Sequence, residues 1–315
     1  VTDHVSTFQG FGLTIASDIP LPELAPAGSG AAPDITIRAG ATPSALTATE
    51  FAWIDTGDSR AVLLRFPEVG RFIVRDGAQI VYQREEGVAD RDLRLHLLGS
   101  GMGTLLHQRG LLPLHGSAVC VDGRATLFVG HQRAGKSTLA ARLAQRGYVV
   151  LNDDVSVVTF TGPLPGSQSG PGEVSLHPGT THLKLWRDAL DGLGHDPVAL
   201  ARVSGPFDKF FVPIDIRGQC AVAVREILVL SDADDGPEAR IVPMPILEAT
   251  STLVQQTNRP EVVAALGLHE RNFRQCVELA RALPIARLLR PRGQQYFADT
   301  IDFLEAHWSR PPTPR

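Results

Sequence analysis

Residues 127–137 read LFVGHQRAGKS, an apolar run entering a loop that opens on Gly130 and closes on Gly135-Lys136-Ser137. This stretch limits the fold more than any other. For the backbone N–H groups of such a loop to converge on one point, a strand has to end at Val129 and a helix has to begin near Lys136. Both flanks comply. ATLFV has strand composition, and KSTLAARLAQRG repeats apolar residues at helical spacing, with Leu139 and Leu143 inward and Gly147 as a stop. Gly130, Gly135, Lys136 and Ser137 match GxxxxGK[ST], in which glycines turn amides toward phosphate oxygens, the lysine reaches the terminal phosphates and the hydroxyl holds magnesium. Arg133, Ala134 and Thr138 complete the expected nucleotide-binding set. Arg133 either adds charge at the transferred group or only contacts solvent.

Lysine is rare enough here to be informative. Of 30 basic residues only Lys136, Lys184 and Lys209 are lysine. An ammonium is a compact point charge and a guanidinium a planar fork, so a lysine kept against a drift to arginine marks a place the fork does not suit. Lys184 reads as a surface helix residue. Lys209, in FDKFF, either reaches phosphate or substrate or packs its stem beside Phe207, Phe210 and Phe211.

After Lys136 a helix of about eleven residues rises roughly 16 Å, and YVVLN returns about the same distance. Asp153 and Asp154 therefore come back to the edge that carries the loop. Neighbouring strand residues point to opposite sides, so one carboxylate is expected at magnesium and the other at an acceptor. Asp153 is the expected base, orienting an acceptor hydroxyl and receiving its proton, while Lys136 neutralises charge on the transferred group. A hairpin turning at Asp122-Gly123 pairs Val121 with Arg124 and carries its register to His115 opposite Gly130. That sets an imidazole at the mouth of the loop, and His115 joins the catalytic candidates.

The first 90 residues look β-rich, in FGLTIA, DITIR, FAWID and RFIVRDGAQIVYQ. In the last, a two-residue Asp76-Gly77 turn is expected to pair Phe72 with Val81 and Val74 with Gln79. A helix follows from Asp90, with Leu93, Leu97, Leu98, Met102, Leu105 and Leu106 as its apolar face and Gly110 as its stop. Gly99, Gly101 and Gly103 lie inside it and read as a kink or a close approach, because no strand precedes them. The organisation expected is a β-rich domain over 1–90, a connecting helix over 91–110, an α/β domain over 111–310 with a helical end, and a tail over 311–315. Within it, TGPLPGSQSGPG at 161–172 reads as a loop. A formal charge of −4 gives no general attraction for nucleic acid or an anionic membrane. The three cysteines are far apart and form neither a disulfide framework nor a metal pattern. With no signal-like amino end and no run of eighteen apolar residues, a soluble cytoplasmic protein is expected.

HGS, then GHQRAGKS, then NDD follow in the order and approximate spacing of the HPr kinase/phosphorylase carboxyl-terminal domain, and over 111–158 the chain resembles that family. The resemblance implies a P-loop kinase domain similar to phosphoenolpyruvate carboxykinase, preceded here by the smaller β-rich domain. It implies ATP and Mg2+ as cofactors and transfer of the γ-phosphoryl group to a serine of a peptide or small protein. Carried over by position, His115 matches the active-site histidine, Gly130 through Ser137 the nucleotide loop, Asp153 the base and Asp154 the magnesium carboxylate, which with Ser137 forms the metal set. Kinases of that family are often oligomeric, so self-association belongs to the expectation. The loop departs from the family at Gln132-Arg133-Ala134, and the downstream signature has no convincing counterpart in IDIRGQ at 214–219. FGLTIASDIPLPEL, LKLWRDALDGLG and Lys209 look instead like HPr-kinase-related proteins of bacterial biosynthetic clusters, some of which phosphorylate lasso-peptide precursors. A small-molecule hydroxyl kinase and a regulatory nucleotide-binding module stand as alternatives.

Overall fold

The structure is a computed structural model and describes residues 5–28, 30, 32–43, 51–55, 60–161, 173–205, 207–214, 220–233, 236 and 238–309. The expected loop at 161–172 and tail at 311–315 lie almost wholly outside these, as does most of IDIRGQ. The fold is mixed α/β, with three sheets among the described residues.

The first sheet has eight strands in the order 25–26, 6–10, 13–17, 35–39, 79–84, 70–75, 60–66 and 51–55. Across one face lies the helical segment 90–108, with a π-helical turn at Leu97–Gly101. Its three glycines cost the helix about 3 kcal/mol relative to alanine. Five fully buried side chains, Leu93, Leu97, Met102, Leu105 and Leu106, more than offset this at about 1.5–3 kcal/mol each. Packing therefore makes this helix, not propensity. Gly103 serves close approach, since a Cβ there would strike Asn258 at 2.6 Å, whereas one on Gly101 or Gly99 would meet its nearest neighbour at 3.4 or 3.6 Å. The same core takes in Val155, Val157, Val262 and Leu266, so it continues into the second half of the chain.

One hairpin of this sheet corrects the expected register. Phe72 pairs with Tyr82 and Val74 with Ile80, one residue away from the expected partners. Asp76 and Gly77 do take left-handed backbone angles, but Ala78 is an extra loop residue and Arg75 faces Gln79. The cause is the sheet's two faces. The observed register puts Phe72, Val74, Ile80 and Tyr82 together in the large core, whereas the expected one would have put Gln79 there and turned Ile80 out.

The second sheet positions the site. Strand Gly116–Val121 runs antiparallel to both Arg124–Val129 and Val149–Asn152, so those two run the same way. Strand Val222–Asp232 lies parallel to Arg124–Val129, and Ile285–Arg290 lies parallel to Val222–Asp232. The carboxyl ends of all four therefore open on one edge, the usual place for a ligand crevice in an α/β sheet. There the chain delivers Gly130, Asp153, Asp232 and Arg290. The Asp122-Gly123 hairpin holds the expected register, Val121 with Arg124 through Gly116 with Val129. Helix Lys136–Gln145 leaves the loop with Leu139 and Leu143 fully buried against the sheet. A small third sheet, His182–Trp186, Phe207–Pro213 and Arg202–Ser204, faces the loop across the crevice. Lys184 is thus a strand residue, not the surface helix residue expected; the helix starts only at Arg187.

Candidate active site

The loop is held from behind by two residues that sequence patterns did not mark. Gln256 accepts the Gly130 N–H on its side-chain oxygen at 3.2 Å and the His115 N–H on its carbonyl at 2.7 Å, tying the imidazole to the loop entrance. Arg290, 6 % exposed, donates to the Ala134 carbonyl at 2.6 Å and lies over the Phe297 ring. Gly135 is left-handed, with φ 89°, and a Cβ there would run into that guanidinium. Arg133 is also left-handed, φ 66°, an uncommon angle for a residue with a side chain, and one that turns the loop's crest.

Lys136 is 6 % exposed and donates to the carbonyls of Gly130 and His131 at 2.8 and 3.0 Å. Burial pushes its ammonium down to about 8, with the Asp153 and Asp154 carboxylates countering only in part. Asp153 is buried, and its carboxylate is fully engaged. Oδ1 accepts from Ser117 at 2.7 Å and from Ser137 at 2.8 Å, and Oδ2 accepts the Lys184 backbone N–H at 2.9 Å.

Asp154 follows with φ 73°, so the chain turns left-handed and the two carboxylates diverge. Its Oδ2 accepts from Lys184 Nζ at 2.7 Å, and its Oδ1 lies 3.2 Å from His115 Nδ1. The Lys184 ammonium holds the Asp154 carboxyl well below the usual range against the effect of burial, and the His115 ring adds to this. Burial by itself would lower Lys184, but the Asp154 carboxylate beside it reverses the sign and leaves it raised. His115 Nδ1 also sits 3.0 Å from the Asp154 carbonyl. A carbonyl only accepts, so Nδ1 carries the proton and Nε2 of the neutral ring is the basic nitrogen.

These groups line a cleft of about 900 Å³. Arg133, Ala134, Gly135 and Thr138 line it as well, while Gly130, where the loop begins, does not. Ser137 is joined to Asp153, however, and not to Asp154, the partner expected for it. The oxygen-only set of Ser137 and Asp153 suits a hard cation such as Mg2+, which is commonly held by one or two carboxylates plus substrate phosphates. Among the described residues no cluster of three or more His, Cys, Asp or Glu side chains is placed to hold a metal ion. Trp186 forms part of the far wall, with Arg133 and Lys209 both over its ring. No helix among the described residues is long and apolar enough to cross a membrane.

No family model matches this chain, and no curated protein matches it. Among solved structures, the Hpr(Ser) kinase/phosphatase from Coxiella burnetii is distantly similar, at 12 % identity and a TM-score of 0.30, over 62 % of this chain and 95 % of that one. A likeness that faint carries no argument, and the functional reading rests on the cleft.

Proposed function

We propose that the chain is an ATP- and Mg2+-dependent phosphotransferase that moves the γ-phosphoryl group to a hydroxyl, that of a serine in a peptide or small protein. The observation that carries it is the division of labour between adjacent carboxylates: Asp153 lies under the Ser137 hydroxyl, and Asp154 backs the His115 imidazole. Ser137 and Asp153 would hold the magnesium, which when bound would neutralise phosphate charge. Lys136 exchanges two loop carbonyls for the terminal phosphates, and the amides of the loop and first helical turn receive the remaining oxygens.

On the acceptor side, His115 Nε2 takes the hydroxyl proton as the acceptor oxygen bonds to the γ-phosphorus and the bond to the β–γ bridging oxygen breaks. Asp154, ionised across the neutral range, steadies the imidazolium that results. These roles depart from those expected for the two aspartates: Asp153 goes from base to magnesium carboxylate, and Asp154 from magnesium carboxylate to the partner of the base, His115. Asp153 has both oxygens committed to donors, which suits it to a cation and not to a mobile proton. Serine as the acceptor rests on the resemblance of HGS, GHQRAGKS and NDD, and a ribosomally made precursor peptide as its bearer on that of FGLTIASDIPLPEL, LKLWRDALDGLG and Lys209. The test is incubation with Mg2+-ATP and the peptides encoded beside the gene, read by mass spectrometry for phosphoserine. Transfer to a free metabolite with no labelled peptide would overturn the acceptor.

A further inference from the structure

Arg133 and Lys209 reach one indole from different elements. The Arg133 guanidinium lies 5.0 Å and the Lys209 ammonium 5.6 Å from the Trp186 ring centroid. Neither cation has a carboxylate partner among the described residues, although Asp188 lines the same cleft. Two unpaired like charges on one ring repel each other, and Lys209 also presses on Lys136. An arrangement of that kind is relieved by an anion.

Its position says which anion. Trp186 and Lys209 sit directly opposite each other in the antiparallel pair of the third sheet. Lys184 lies two residues before Trp186, on the same side of the strand and about 7 Å away. Lys184 grips Asp154, the carboxylate that backs His115, so the stack stands one strand step from where the acceptor hydroxyl is activated. We propose that Arg133, Trp186 and Lys209 form a recognition site for a carboxylate carried by the acceptor beside its reacting hydroxyl, so that the enzyme selects an acidic peptide. The adjacent hydroxyl rests on the kinase reading; the anion site does not.

The test loads the full chain with Mg2+ and a non-hydrolysable ATP analogue and titrates, by calorimetry, two serine peptides that differ only in Asp or Asn next to the serine. The Asp peptide is expected to bind at least about tenfold more tightly, the effect of a close charge pair at an interface. Lys209→Met and Arg133→Met should each bring the two peptides within about twofold, with Lys209→Arg keeping the preference. Lys209→Met should leave affinity for the analogue unchanged. Equal affinities in the wild type, no binding of either peptide at millimolar concentration, or a Lys209→Met variant that loses the analogue along with both peptides would each overturn the proposal. A binding preference without phosphoryl transfer from ATP sinks the kinase reading and leaves the anion site standing. Transfer with no preference does the reverse.

Discussion

On the loop wall of the cleft Lys136 has, among the described residues, only the carbonyls of Gly130 and His131 as hydrogen-bond partners, while on the strand wall Lys184 grips Asp154 at 2.7 Å. Both ammoniums are largely withdrawn from water, yet burial leaves the first at about 8 and the Asp154 carboxylate raises the second. On the proposed phosphotransferase reading, the first is a charge kept for an incoming anion and the second a charge kept to position its neighbours. A desolvated ammonium without a carboxylate weakens the empty protein and becomes favourable only when phosphate arrives; one clamped to a carboxylate is already satisfied.

The largest test of that contrast is Lys136→Met. Phosphoryl transfer should fall about 10²–10³-fold, the usual loss for one preorganised charge-stabilising donor, while the urea midpoint stays level or rises. A variant that unfolds would place Lys136 on the structural side and break the comparison. Asp153→Ala should cost about 2–4 kcal/mol in denaturant titration, since the buried hydroxyl of Ser117, the Ser137 hydroxyl and the Lys184 N–H all lose their acceptor. Lys184→Met should cost less, about 1–3 kcal/mol, because the Asp154 carboxylate it strands is partly open to solvent.

The pH dependences sharpen the same contrast. Asp154, whose carboxyl is held below the usual range, contributes stability above that range and loses it as pH falls through its lowered value. Lys184 is raised, so its contribution is complete at neutral pH and is lost only as pH climbs through its own raised value. The wild-type midpoint should therefore fall more steeply than that of Lys184→Met on acidification below about pH 4. Lys136 has the opposite sign. Below about 8 its burial penalty applies in full, and it is relieved as pH rises from there toward the ordinary lysine value. Bound phosphates hold the proton on, so ATP binding at pH 8 should take up about half a proton, read by calorimetry in buffers of different ionisation enthalpy. Lys136→Met should abolish that uptake.

The two Asp-Gly hairpins show how far local pattern reaches. Asp122-Gly123 and Asp76-Gly77 share the same dipeptide and the same left-handed angles, yet only the first keeps the simple register. In the first, turn chemistry and burial agree. In the second, the core under helical segment 90–108 demands Ile80 and Tyr82, and the hairpin absorbs one more loop residue to supply them. The site divides in the same way. His115, the loop and the returning Asp153-Asp154 were legible because strand, turn and helix lengths are local quantities. Gln256 and Arg290 carried no signal, since each acts on the loop from more than a hundred residues away. Lys184 had one faint sign, its rarity as a lysine, which composition could raise but not place.

By itself, then, the sequence determined that a glycine-bounded loop would leave a strand for a helix and that two aspartates would return beside it, because hydrophobic period and glycine spacing act within a few turns. Only the tertiary structure decided which aspartate meets Ser137 and which meets His115. That choice depends on the left-handed turn at Asp154 and on Lys184 arriving from a separate sheet, and long-range electrostatics of this kind leaves no periodic mark in the chain.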